Sequence, residues 1–260
     1  KKISKLEAFE LIKQFDQKQN ISTFTFSSED SYIRDHIVMK QRVLMGVTHC
    51  GLAIEAYRQK FSSESLGYFL KGIQFTDAIK MKANEKVDVW VDLSEKSGKC
   101  TFENHYEIEG RGAGKKLTAK GEIGLLQSGG ISALDIEPLK RKSISFVLGE
   151  AFYEESKTEL SVYGKSLRTL RSIYKISDKE CLLELEISPE VLCQKQFHFH
   201  PAFLDGAFMG SAYLNPIKDN FVPLFIKELD ILSKSPSKCF CHIKLIRSNS
   251  ELVVADMVFA

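Results

Sequence analysis

Residues 46–57, Gly-Val-Thr-His-Cys-Gly-Leu-Ala-Ile-Glu-Ala-Tyr, constrain the fold more than any other stretch of this chain. They read as a helix that is largely apolar all round, and such a helix must be buried on most of its faces. Its small residues leave room for a sheet to wrap closely. Four strand candidates follow, at 67–79, 86–93, 99–109 and 116–126, with turns at Ala83-Asn84, Lys96-Ser97-Gly98 and 110–114. One central helix followed by an antiparallel meander is the element order of a hotdog fold.

The order then repeats. A break at Gln127-Ser128-Gly129-Gly130 opens a polar stretch running to Lys142. Beyond it, 144–156 read as helical, 160–176 and 181–187 as strand regions, and 201–214 as a second central helix. Residues 223–231, 239–246 and 252–259 are further strands. Internal identity is too weak to prove duplication, so the inference rests on element order. Ahead of the first unit, Leu6, Phe9, Ile12 and Phe15 give 5–19 a helical period; 21–26 alternate as a strand and 32–44 read as a longer strand region. The predicted class is α+β, a double hotdog of two antiparallel sheets, each wrapped around a central helix. The expected division is a lead-in linker helix over 1–20, an N-terminal hotdog over 21–127, a linker over 128–143 and a C-terminal hotdog over 144–260.

A chain of 260 residues can bury a sizeable core, and 43% hydrophobic with 27% charged residues is ordinary for a soluble protein. The formal charge of +2 gives no reason to expect a nucleic-acid partner, and Lys115-Lys116 and Lys140-Arg141-Lys142 read as solvated loops. No apolar run approaches the ~18 residues that span a bilayer, and Lys1-Lys2-Ile3-Ser4-Lys5 lacks the apolar core of a signal peptide. Six Cys without a CxxC pair read as reduced, buried thiols of a cytoplasmic protein. No metal is expected: a zinc site from His198, His200 and a Cys lacks a second ligand pair of suitable spacing.

Two segments carry chemistry. Tyr32-Ile33-Arg34-Asp35-His36-Ile37-Val38 presents an imidazole at a strand. His200-Pro201-Ala202-Phe203-Leu204-Asp205-Gly206-Ala207 presents a carboxylate on the first turn of a helix that Pro opens. Each half thus supplies one group, as expected of an acid/base site shared at the junction. A histidine titrates near neutrality and suits a general base. An aspartate in an apolar pocket can serve as an acid, while the helix N-terminus favours its anion; the two effects leave the direction for Asp205 open. Gly46, at the start of the first central helix, is placed to offer an N–H to an oxyanion. His200 is expected to support the helix start, and His49, His105 and His242 to be structural or exposed.

These residues resemble the dehydratase domain of modular polyketide synthases and the related domain of fatty acid synthases. The likeness is carried by the His36 segment with its following helix, by Tyr163-Gly164-Lys165-Ser166-Leu167 against that family's Tyr-Gly-Pro-x-Phe, and by 200–207 against its His-Pro-Ala-Leu-Leu-Asp helix start. The resemblance implies a double hotdog with catalytic roles at His36 and Asp205, and substrate contacts at Gly46, Tyr163, Gly164 and His200. It also implies an acyl chain delivered on the phosphopantetheine of an acyl carrier protein, neighbouring synthase domains as partners, and no metal or redox cofactor. Family domains are often dimeric, and they usually end with one more strand.

The departures are specific. The family reads His-x-x-x-Gly-x-x-x-x-Pro, and here those Gly and Pro positions are Lys40 and Met45. Its Asp-x-x-x-Gln/His pattern ends here in Met209, and the proline after Tyr-Gly is Lys165. Loss of the polar side chain at 209 should leave Asp205 less well held. Met45 and Met209 are expected either to fill the core or to make a more apolar tunnel around an acyl chain. The departures at Lys40 and Met209 resemble those of pyran synthases of trans-acyltransferase synthases, which close an oxygen ring by adding a distal hydroxyl to an enoyl thioester. Ring closure is therefore the preferred expectation, with ordinary β-hydroxyacyl dehydration next. A double-bond isomerase, whose relatives usually replace the Asp, and an inactive scaffold stand behind.

Overall fold

The computed structural model describes residues 14–16, 20–61, 67–108, 114–126, 134–157, 161–194, 197–215, 222–249 and 251–260. The front half runs β1 (Gln14–Asp16), β2 (Ile21–Ser27), α1 (Ser31–Arg34), β3 (His36–Val38), β4 (Gln41–Val43), α2 (Thr48–Lys60), β5 (Tyr68–Phe75), β6 (Lys80–Met81), β7 (Lys86–Lys96), β8 (Lys99–Ile108) and β9 (Lys116–Leu125). The rear half runs α3 (Ile136–Arg141), β10 (Ser145–Leu148), α4 (Gly149–Ser156), β11 (Ser161–Tyr163), β12 (Leu170–Ser177), β13 (Glu180–Glu186), α5 (Pro189–Gln194), α6 (Pro201–Leu214), β14 (Phe225–Ile231), β15 (Lys238–Ser248) and β16 (Val253–Phe259). A single 3-10 turn, Lys165–Leu167, follows β11.

Helix α2 is buried without interruption from Thr48 to Ala56, as its all-round apolar sequence requires. Around it the front sheet turns alternate side chains inward: Phe24 and Phe26 from β2, Val87, Val89 and Val91 from β7, Phe102 from β8. Each such side chain contributes about 1.5–3 kcal/mol by leaving water. Gly51 lets the rear half press on the helix, since a Cβ there would lie 2.8 Å from the Phe197 ring. Helix α6 occupies the same place in the rear half, against β12, β13 and β15.

The strands form sheets in the orders β1-β2-β7-β8-β9-β5-β14, β10-β12-β13-β15-β16 and β11-β3-β4-β6. Membership does not respect the boundary between halves. Rear strand β14 extends the front sheet by pairing with β5, Leu229 opposite Leu70. Rear strand β11 pairs with β3, which sets Tyr163 opposite His36. The Glu55 carboxylate of α2 accepts a bond from the His198 backbone N–H across the same junction (2.6 Å).

Several expectations change at the level of elements. Residues 1–13 and 17–19, most of the expected lead-in helix, lie outside the described residues, and Gln14–Asp16 is a strand paired with β2. The expected strand over 32–44 is a helical turn followed by a hairpin. The Asp30 carboxylate accepts from Ser27 N–H (3.0 Å) and its carbonyl accepts from Arg34 N–H (2.8 Å), which closes α1. Met39 and Lys40, at φ 50° and 61°, then make a two-residue turn between β3 and β4. Residues 145–148, expected as helix, pair with β12 as a strand. Helices α3 and α5 and the short β6 were not expected.

Candidate active site

His36 enters the site from β3, and only 6% of it is exposed. Its Nδ1 lies 2.7 Å from the Val43 carbonyl, which can only accept. Nδ1 therefore carries the proton in the neutral ring, and Nε2 keeps its lone pair for other work. The hairpin that folds β4 back on β3 supplies that carbonyl, so the turn at Met39-Lys40 fixes the tautomer.

Asp205 sits in the first turns of α6, in the segment that begins at Pro201. The helix start is capped by His200, whose Nδ1 accepts from Ala202 N–H (3.2 Å), while the His200 N–H donates to Ser235 Oγ (2.8 Å). Burial drives the His200 pKa down to about 4, so the ring is neutral and able to accept. Asp205 itself is half-buried. Loss of water around its carboxyl, the larger effect, raises its pKa above the ordinary carboxylate value; His36 is near enough to pull it partly back. Burial, one of the two effects weighed from the sequence, thus outweighs the pull of His36. No described residue donates a hydrogen bond to this carboxyl, consistent with Met209, half-buried one turn further along α6, having replaced a polar side chain.

Two tyrosines complete the surroundings. The Tyr163 ring lies 5.5 Å from that of His36, and the Tyr153 ring lies 5.9 Å from Tyr163. Burial, chiefly, raises both phenols, and the nearby Asp205 charge adds to the effect in each. Tyr153, on α4, was missed in the sequence, where 144–156 carry no motif; its spacing from Tyr163 became meaningful only once β11 folded back. Gly164 donates its N–H to the Asp35 carbonyl (2.8 Å).

The remaining positions fall less centrally. Met45 has no exposed surface and fills the front core instead of lining a tunnel. Gly46 stands two residues before α2, its carbonyl accepting from His49 N–H (3.2 Å), and a Cβ added there would meet Pro223 of the rear half at 3.6 Å. His49 is structural. Asn104 donates to its Nδ1 (3.2 Å), its Nε2 meets Thr118 Oγ1 (2.9 Å), and burial lowers its pKa to about 4. His242 is buried against Glu180 (2.7 Å). Among the described residues no group of His, Cys, Asp and Glu is placed to share a metal ion, and no helix is long and apolar enough to cross a membrane.

Fold and site together define a double hotdog with an imidazole and a carboxyl at the junction of its halves. Comparison with known proteins places that class. Two family models match, "Polyketide synthase dehydratase domain" over residues 10–107 and "Polyketide synthase dehydratase N-terminal domain" over 135–259. The chain belongs to the polyketide synthase dehydratase domain family. Similar curated proteins include polyketide synthase PksN of Bacillus subtilis, 23% identical over 86% of this chain, and PksL of the same organism, 23% identical over 93%. The chain spans only 4% and 6% of their lengths. Among solved structures, a trans-AT synthase dehydratase domain from Brevibacillus brevis superposes with TM-score 0.85 at 20% identity, covering 96% of this chain and 92% of that one. A trans-acyltransferase synthase enoyl-isomerase superposes at 0.75 with 17% identity, covering 91% of each. At such identities these structures establish the fold.

Proposed function

We propose that this domain acts on a thioester carried by an acyl carrier protein, and that its reaction is β-hydroxyacyl dehydration. His36 Nε2 takes the α-proton, the C–O bond at the β-carbon breaks, and Asp205 gives its proton to the departing hydroxyl. Water and an enoyl thioester result, leaving an imidazolium and a carboxylate that are reset by one proton transfer. The observation that carries this reading is the tautomer set by the Val43 carbonyl, which in the neutral ring leaves the lone pair on His36 Nε2, beside a carboxyl whose pKa burial raises. The Gly46 amide is the candidate donor to the thioester carbonyl, with Tyr163 and Met209 beside the acyl chain. Neighbouring synthase domains are the expected partners, and the division near residues 128–143 belongs to this reading.

Ring closure by oxa-Michael addition is the second reading. The two departures from the family's first motif are local in effect. Lys40 keeps a left-handed backbone, and Met45 is sealed in the core. Met209 remains, and with it the absence of a described donor to Asp205, which favours a site that positions a substrate hydroxyl over one that expels it. The test offers the protein two pantetheine thioesters, a simple β-hydroxyacyl chain and an enoyl chain with a distal hydroxyl. Loss of water from the first, reduced by a factor of roughly 10²–10⁴ in His36→Ala, is the expected outcome. Cyclisation of the second without dehydration of the first would replace the first reading with the second.

A further inference from the structure

We propose that Asp35 is a positioning residue for this site: its carboxylate pins the turn after β11 to β3 and so holds Tyr163 opposite His36. The two strands joined there come from different halves, and each has only three residues. A ladder that short holds its register weakly, so other contacts must fix it.

Asp35 supplies them. Its Oδ2 accepts from the Ser166 N–H (3.1 Å) and lies 2.7 Å from Ser166 Oγ, while its Oδ1 accepts from Arg34 Nε (3.0 Å). Its backbone carbonyl accepts from Gly164 N–H (2.8 Å). The Ser166 hydroxyl also lies 3.0 Å from the Ser31 carbonyl, so its one proton is shared between two acceptors of the front half. The turn comes this close only because residue 164 has no side chain: a Cβ there would lie 2.4 Å from Asp35 Cγ. On the far side, Arg168 Nε donates to the Tyr163 carbonyl (3.2 Å), so the Tyr163–Gly164 peptide is gripped at both ends.

The charge state follows from the geometry. Burial works against ionisation of Asp35, but the bonds from Arg34 and Ser166 outweigh it and hold the carboxyl below its usual range. A carboxylate is also the group that fits. Both its oxygens accept, one toward Arg34 and one toward Ser166, whereas an asparagine of the same shape offers one acceptor and must turn an NH₂ toward a donor. Bonds to the charged group are roughly twice as strong as neutral ones.

This inference extends the proposed function, and its test separates the two. Full-length wild type, Asp35→Asn and Ser166→Ala are compared by the His36 imidazole ¹H–¹³C resonance and by kcat and KM on the β-hydroxyacyl pantetheine thioester. Release of the turn moves the Tyr163 ring, so both variants should shift the His36 resonance. Asp35→Asn should lower kcat roughly ten-fold or more with KM changed less than about three-fold. An unshifted His36 resonance in both variants, or a loss expressed in KM alone, overturns the assignment. Should Asp35→Asn fail to fold, Ser166→Ala decides, since it removes only one hydroxyl. If wild type turns over no thioester, the proposed function fails while the resonance still decides the role of Asp35.

Discussion

Lys40 stands where the family has glycine, in a backbone conformation that suits one. Its φ of 61° lies in the left-handed region, which favours glycine, and Met39 before it sits at 50°. At the position where the family has glycine, this chain therefore holds a lysine in a conformation that glycine would adopt freely. Such a residue carries roughly 1 kcal/mol of strain. Lys40→Gly should accordingly stabilise the domain by up to about 1 kcal/mol, read as an increased urea midpoint with unchanged slope. An unchanged or lower midpoint would mean the turn is not strained. The same pair of residues explains why the hairpin was hard to read. Two-residue turns of this kind usually announce themselves as Asn-Gly, and Met-Lys between Val38 and Gln41 carries no such signal. His36 and Asp205 could be proposed from the sequence because each stands in a motif; Tyr153 and the proposed clamp role of Asp35 could not, because both depend on β11 crossing to the other half.

Helix α6 was the most legible element. Pro at its first position, a capping side chain before it and a continuous small-and-apolar run reproduce the bounds Pro201–Leu214 as read. Strand β10 was less so. Ile144, Phe146 and Leu148 alternate but point outward, 70%, 51% and 60% exposed, so an apolar run that looked like buried helix is an edge strand. Within α6, Met209 governs the setting of Asp205. Met209→Gln would place an amide N–H one turn from the carboxyl. A donor to the anion favours ionisation, so the Asp205 pKa should fall from its raised value. Titration of the Asp205 side-chain ¹³C resonance checks this, and a value unchanged or higher would show that position 209 does not reach the carboxyl.

In the whole molecule, rear strands β11 and β14 pair with front strands β3 and β5, and the acid response should report the burial on both sides of that seam. His49 and His200, one in each half, are neutral with pKa values lowered to about 4. In the unfolded chain they titrate near ~6.5. Between about pH 6.5 and 4 the unfolded state therefore binds more protons, and stability falls as pH drops through that window. The loss should approach on the order of 2 kcal/mol per histidine, measured by urea unfolding at stepped pH. His49→Gln, neutral throughout, should flatten the slope. Stability constant from pH 7 to 5 would contradict the burial of both rings.

The account depends on one imidazole from the front half and one carboxyl from the rear acting on the same substrate molecule. A double-mutant cycle on dehydration of the β-hydroxyacyl pantetheine thioester, comparing wild type, His36→Ala, Asp205→Asn and the double variant, measures that directly. Groups that act as a unit are strongly non-additive, so the double variant should be no slower than the slower single one. Losses that multiply, or an Asp205→Asn enzyme with wild-type turnover, would contradict a shared site.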